Sequence, residues 1–428
     1  MAKIAEILEQ EVGRDCIHPP TSLDLPKYLN PEAIAYPTTE AELSVVMACA
    51  HDHGWRVIPC GSGSKMAWGG LGTGVDLVVS TARLNQVIDH AVGDMTLTAQ
   101  AGVALADLVP RLAQHNQFLA VDPAYPDRAT LGGLVATADT GSLRQRYGGL
   151  RDMLIGISFV RYDGQIAKAG GRVVKNVAGY DLMKLLTGSY GTLGVISQLT
   201  FRLYPVQEAS KTVVVTGEGA AVESFLSRLR LSPLTPVALD VLSPGLTEHL
   251  GYGDSLALLA RFQAIAPGVE EQVNSLTAMV GTGLSAQVLE GAADEQLWTA
   301  TREALFPSHQ PSEPAIVAKV GMAPAQAVAW LRQIPNDGLA RIHAGSGLGT
   351  LRLGTATPEA VDALRASLGK VAGTQAKGSN YLTLLEAPDS VKAAVDVWGY
   401  NGNALGVMGA IKAQFDPHHR LSPGRFVL

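Results

Sequence analysis

Cysteine is scarce in this 428-residue chain: Cys16, Cys49 and Cys60 are the only three, and no two of them form a Cys-x-x-Cys pair. An odd count without that spacing disfavours a disulfide framework, a zinc knuckle and an iron–sulfur cluster, and fits a reducing compartment. Charge is also sparse, at 17% of residues against 47% hydrophobic, which excludes long disordered tails and argues for compact structure. Positive charge is in deficit: 33 lysines and arginines against 39 aspartates and glutamates leave a net charge of −6, so no global field gathers nucleic acid. No uninterrupted apolar run reaches the ~20 residues that span a bilayer. Glu6 and Glu9 interrupt the apolar positions of residues 1–10, which read as the start of an amphipathic helix and not as a signal peptide. Membrane association is therefore expected only through a partner.

The length exceeds that of one ordinary domain of roughly 100–200 residues, so two or more domains are expected. Thr39 to Glu42 forms a capping-box pattern that opens a helix with Leu43, Val46, Met47 and Ala50 at i, i+3, i+4 and i+7; Gly54 closes it. Strands are predicted at Trp55–Pro59, Val75–Ser80 and Met95–Ala101, and a helix from Leu105 towards Gln114 that Pro110 kinks or shortens. Leu154–Arg161, the turn Asp163-Gly164 and Gln165–Ala169 read as a hairpin, because Asp-Gly tolerates the positive φ of a tight primed turn. After a strand at Val195–Leu203, Pro205 marks a boundary, and the glycine clusters stop. Beyond it, strands are predicted near Lys211–Thr216, Val237–Leu242, Leu256–Phe262, Ala315–Val320 and Ala340–Ala344. Helices are expected at Ala221–Leu229, Glu270–Val280, Asp294–Leu305 and Pro358–Val371, giving an α+β layer sandwich without a fixed-period repeat.

Glycine carries the chemistry of the first half. Cys60-Gly61-Ser62-Gly63-Ser64-Lys65 follows a predicted strand, and its glycines let backbone N–H groups converge on a diphosphate without Cβ clashes. Met66–Gly74 supplies no helix immediately afterwards, so the doubly wound dinucleotide fingerprint fails, and no Gly-Lys-Ser/Thr phosphate loop is present. In Thr130–Ala138, Gly132 and Gly133 start a helix of small residues against which a flat aromatic ligand can lie. Tight helix packing is the plainer alternative. A third cluster, Tyr147-Gly148-Gly149-Leu150-Arg151-Asp152, precedes the hairpin, and a fourth runs from Gly170 to Asp181 and on to Gly188–Ile196.

Four such clusters in this order resemble the vanillyl-alcohol-oxidase (PCMH) type of FAD-binding domain over residues 34–205. Gly171–Asp181 with Gly188–Ile196 is similar to the FAD-binding subunit of glycolate oxidase, as is the ending Phe415–Arg425, although Ser422 stands where asparagine is commoner. The resemblance implies an α+β protein: an N-terminal helical segment at 1–33, an FAD domain of two α+β subdomains at 34–205, a ferredoxin-like α+β cap at 206–410, and a tail at 411–428 returning to the FAD domain. It implies that Gly61, Ser62, Gly63, Ser64 and Lys65, entered through Cys60, cradle the diphosphate of FAD. Thr130, Gly132, Gly133 and Thr137 would line the diphosphate and flavin, Gly194 and Ile196 the adenosine part, and Tyr147 and Gly148 would complete the cofactor set. Lys175, Asn176, Tyr180 and Asp181 suit cofactor contact and capping of the following helix equally. Some relatives attach flavin through a histidine in the first glycine loop; Gly61–Lys65 contains none, so dissociable FAD is expected.

Oxidation of a 2-hydroxy acid needs a base, a cation for the carboxylate and a held α-carbon. Related catalytic subunits carry His-x-x-Gly-Asp-Gly-Asn-x-His, whereas this chain has His343-Ala344-Gly345-Ser346-Gly347-Leu348 and no closing histidine. His343 thus reads as a hydrogen-bonded structural residue and His418-His419 as surface, with no metal site and no assigned catalytic residue. The resemblance then implies a subunit working beside a catalytic FAD subunit and an iron–sulfur subunit on a small 2-hydroxy acid. Such a subunit is cytoplasmic and reaches the inner membrane face only through those partners. A self-sufficient FAD oxidoreductase and a redox-silent scaffold remain the alternatives.

Overall fold

The computed structural model describes residues 3–171, 179–308, 315–372, 380–400 and 402–427. They form two compact units, one of Met1–Gly141, Gly148–Val206 and Asn403–Leu428, the other of Ser142–Tyr147 and Gln207–Gly402.

The first unit holds two α+β layers. A four-stranded sheet runs in the order Ile17–His18, Ala33–Ala35, Leu77–Ser80, Val57–Cys60, with Leu77–Ser80 parallel to both of its neighbours. Parallel strands need a crossover, and the helix Glu40–His53 supplies it, burying Leu43, Val46, Met47 and Ala50 as its periodicity requires. Thr39 caps this helix by accepting from Glu42 N at 3.1 Å, and Gly54 ends it at φ +77°. The reciprocal half of the expected capping box goes elsewhere: Glu42 Oε2 accepts from Thr38 N (2.7 Å) and Thr38 Oγ1 (2.9 Å). The second layer is an antiparallel sheet ordered Val87–Ala91, Thr96–Gln100, Val195–Arg202, Leu154–Val160, Ile166–Gly170. Glu40 ties the two layers, accepting from Ser158 Oγ and from Ser197 Oγ at 2.6 Å.

The predicted hairpin forms with a different turn. Arg161 N donates to Gln165 O at 2.9 Å across a three-residue loop, and only Gly164 takes positive φ, at +81°. That is a type I turn closed by a left-handed glycine, not a two-residue primed turn. The helix Leu105–Ala113 forms with Pro110 inside it.

In the second unit eight antiparallel strands make one sheet: Leu284–Glu290, Ala209–Gly217, Leu256–Ala264, Ala238–Leu242, Gly338–His343, Leu348–Leu353, Ile316–Gly321, Tyr381–Glu386. The element order is a β-α-β-β-α-β module used twice. Ala209–Gly217, helix Gly219–Arg230, Ala238–Leu242, Leu256–Ala264, helix Ala266–Ala278 and Leu284–Glu290 make the first copy. Ile316–Gly321, helix Ala327–Leu331, Gly338–His343, Leu348–Leu353, helix Pro358–Ala372 and Tyr381–Glu386 make the second. Each copy has its strands in the spatial order fourth, first, third, second, and Ala238–Leu242 joins the two by pairing with Gly338–His343. One hydrophobic core, including Phe225, Phe262, Ile342 and Trp330, serves both copies. No helix among the described residues is long and apolar enough to cross a membrane.

Candidate functional site

The first glycine loop leaves the end of the strand Val57–Cys60, and two hydroxyls fix its entry. Ser80 Oγ donates to Gly61 O at 2.9 Å and Thr81 Oγ1 to Cys60 O at 3.1 Å. Ser62 Oγ donates to Arg128 O, and Met66 N donates to Gly63 O at 3.1 Å to close the turn. Gly63 sits at φ +83°, a left-handed conformation that costs glycine nothing. Gly61 is required by proximity instead, since a Cβ there would lie 2.0 Å from Thr130 Oγ1. The backbone amides of Ser62, Gly63, Ser64 and Lys65 donate to no group among the described residues. Unpaired amides beside a groove are available to an anion.

Thr130 opens the helix Leu131–Thr137, its Oγ1 accepting from Gly133 N at 3.4 Å, while Thr137 Oγ1 donates back to Gly133 O at 2.8 Å. The carbonyls at the end of this helix hold the next glycine turn: Gly188 N donates to Val135 O and Tyr190 N to Ala136 O, both at 2.9 Å. These segments line a groove with about 690 Å³ of empty space. It brings together Cys60, Gly61, Ser62, Gly63, Ser64, Lys65, Thr130, Gly132, Gly133, Thr137, Gly194 and Ile196. Thr81, Ala136, Tyr190, Gly191 and Arg425 also line it without having been singled out from the sequence. Tyr190-Gly191 and Arg425 do fall inside motifs quoted above; Thr81 gives no sequence signal.

Two expected residues are not among the lining. Gly148, at φ +76°, makes the turn ahead of the helix Leu150–Met153, and Tyr147 ends the helix Arg144–Tyr147 in the other unit. Lys175 and Asn176 lie outside the described residues. Tyr180 is 89% exposed. Asp181 occupies the N-cap position of Leu182–Leu186 without a side-chain cap bond and pairs with Lys184 at 2.9 Å.

The electrostatics favour an anion. Among the described residues, Lys65 and Arg425 are the charged ones that line the groove, and no carboxylate does. Lys65 is buried, with Nζ 3.0 Å from Asp139 Oδ2 and 5.4 Å from the centroid of the Trp68 ring. Desolvation pushes the Cys60 thiol up to about 12, against the smaller opposing pull of Ser80 and Arg425, so Cys60 is a neutral thiol and not a nucleophile.

The second unit contains a polar cluster that sequence reading missed. Asp240, fully buried on Ala238–Leu242, accepts from Ser142 Oγ at 2.5 Å and faces His343 Nδ1 at 2.7 Å, with Arg341 Nε 3.8 Å away. Burial alone would raise the Asp240 carboxyl, but the charge and hydrogen bond of His343, the charge of Arg341 and the Ser142 bond together hold it below its ordinary value. His343 is hydrogen-bonded within the fold, as expected of it. Its neighbours were hidden because Ser142 and Asp240 lie far away in sequence. No group of three or more His, Cys, Asp or Glu suited to a metal ion occurs among the described residues.

Residues 31–170 match the FAD binding domain family. Over 99% of this chain and 96% of the other, the fold superposes on p-cresol methylhydroxylase with a TM-score of 0.74 at 14% identity. Open amides, a surplus cation and the absence of a lining carboxylate among the described residues fit the diphosphate of FAD, and the class follows: an FAD-binding protein with a vanillyl-alcohol-oxidase type of fold. Among individual proteins, the chain is similar to glycolate oxidase subunit GlcD of Bacillus subtilis, 25% identical over 94% of this chain and 90% of that one. Glycolate oxidase subunit GlcE of Escherichia coli is 32% identical over 47% of this chain and 57% of its own length. D-lactate dehydrogenase of Archaeoglobus fulgidus is 31% identical over 40% of this chain and 38% of its own.

Proposed function

We propose that the chain is the FAD-carrying subunit of a glycolate oxidase-type complex that oxidises a small 2-hydroxy acid, glycolate or D-lactate, to the 2-oxo acid. The observation that carries the cofactor half is a groove that no carboxylate among the described residues lines, with four unpaired amides at its glycine loop. The substrate class rests on the similarity to the glycolate oxidase subunits and to D-lactate dehydrogenase. In this reading Gly61–Lys65 hold the diphosphate, Thr130, Gly132, Gly133 and Thr137 line the run from diphosphate to flavin, and Gly194 and Ile196 pack near the adenosine part. Bound FAD would accept two electrons and pass them on towards the partners. Without a histidine between Gly61 and Lys65, the cofactor is held noncovalently. Three dispersed cysteines offer no cluster ligand set, so electrons leave through an iron–sulfur partner, with a second FAD subunit doing the substrate chemistry.

One observation favours a second reading, a self-sufficient oxidoreductase: Arg341 and the Asp240–His343 pair put a cation and an acid–base group side by side. Against it, Asp240 and His343 are both buried and already bonded to each other. Anaerobic addition of glycolate to the purified yellow chain, alone and co-expressed with partner subunits, separates the readings. Bleaching of the flavin only with partners supports the complex. Full-rate bleaching by the chain alone supports self-sufficiency, and a colourless chain in an active complex would leave only a scaffold.

A further inference from the structure

The groove contains a buried cation whose charge no carboxylate among the described residues answers. Arg425 is 5% exposed, and its Nη1 donates to Tyr28 Oη at 3.2 Å and to Met66 O. Both partners are neutral, and no carboxylate within ion-pairing distance occurs among the described residues. The other lining cation, Lys65, is already matched by Asp139. A guanidinium taken out of water without a counter-ion is costly, and folded proteins rarely keep one unless an anion joins it.

The backbone holds Arg425 firmly in this position. Residues 420–423 run beside the strand that feeds the glycine loop: Val57 N donates to Arg420 O at 2.8 Å, Ser422 N to Val57 O at 2.7 Å, and Thr73 N to Pro423 O at 3.3 Å. Gly70 N then donates to Arg425 O at 3.1 Å, and a Cβ at Gly70 would sit 2.2 Å from Gly424 O. The side chain so anchored reaches Met66 O, at the residue whose own N–H closes the loop turn on Gly63. Arg425 therefore lines the same groove as the unpaired amides of residues 62–65.

We infer that Arg425 is the charge partner of the FAD diphosphate, so that the residue opposes the stability of the empty groove and favours the filled one. This rests on the reading that the groove takes FAD. Burial pushes the guanidinium below its ordinary pKa against the pull of Tyr28, Tyr190 and Cys60, as expected of a cation in want of an anion. A residue that merely braced the loop would stabilise the empty protein; a residue awaiting an anion does the reverse.

The test uses the full chain stripped of flavin, with FAD and ADP titrated separately into wild type and Arg425→Met. The expected result is a Kd for both ligands at least fivefold weaker in the variant, with a thermal midpoint of the flavin-free variant equal to or above that of wild type. A change of less than fivefold, or a lowered midpoint of the flavin-free variant, overturns the inference. Should Arg425→Met give no folded protein, Arg425→Lys decides: it keeps the charge, so binding within fivefold of wild type is expected, and a larger loss in folded protein overturns the charge role. Failure of wild type to bind FAD and ADP would instead remove the reading of the groove itself, an outcome distinct from a wild type and Arg425→Met that bind equally.

Discussion

Replacing Gly63 by valine perturbs the groove at a point where the cost can be worked out. Gly63 sits at φ +83°, and an L-residue held in the left-handed region costs roughly 1–2 kcal/mol, more for a β-branched side chain. A Cβ there also lies 3.2 Å from Leu23 Cδ1, close enough that the leucine must give way. In the empty loop the amides of residues 62–65 make no bond among the described residues, and the backbone there can relax to relieve the strain. Binding must then restore the strained form, so the cost appears in affinity: about 5–30-fold in Kd for 1–2 kcal/mol. Gly63→Ala should lie towards the lower end of this range and Gly63→Val at or beyond the upper one. Titration of flavin-free protein with FAD, followed by quenching of flavin fluorescence, measures both. A Kd within twofold of wild type for Gly63→Val in folded protein would refute the reasoning and make Gly63 an ordinary turn residue.

His343→Ala should destabilise the second unit by about 3 kcal/mol, the cost of taking one hydrogen-bond partner from a buried carboxylate that Ser142 and Arg341 still hold. For a unit of this size that is a fall of about 6–12 °C in midpoint, and calorimetry showing no fall would contradict the role assigned to the cluster. The Asp240 carboxyl is lower in the folded than in the unfolded chain, so its contribution is fully present above the ordinary carboxyl range near pH 4 and is lost as pH falls through the native value. The stability gap between wild type and Asp240→Asn in urea should accordingly narrow below about pH 4; a gap that widened there would reverse the sign. Cys60, with its thiol near 12, should react with maleimide at pH 8 about 10³-fold more slowly than an ordinary free cysteine, and mass spectrometry showing rapid labelling at that position would refute the burial argument.

The glycine clusters made the groove legible because each signals a local backbone need, a left-handed φ at Gly63 or a close approach of Gly61 to Thr130. Long strands and helices were legible through periodicity, as in Glu40–His53 and Leu256–Ala264. Three strands of the second sheet were not, each for a local reason: Leu284–Glu290 is a largely exposed edge, Leu348–Leu353 carries a glycine, and Tyr381–Glu386 buries four residues in a row and shows no alternation. Missing them concealed the doubled β-α-β-β-α-β module, whose two copies share topology without a visible sequence period. What joins residues distant in the chain also stayed hidden. Ser142 meets Asp240, and Arg425 meets Met66, through tertiary contacts that no local spacing encodes.

The central claim is that this groove holds FAD, and holds it without a covalent bond. Calorimetric titration of the flavin-free chain with FAD, followed by acid precipitation of the complex, tests it most directly. The account predicts one FAD bound per chain and all of the flavin released intact into the supernatant. Absence of binding by folded protein, or flavin that stays with the precipitated polypeptide, would contradict it.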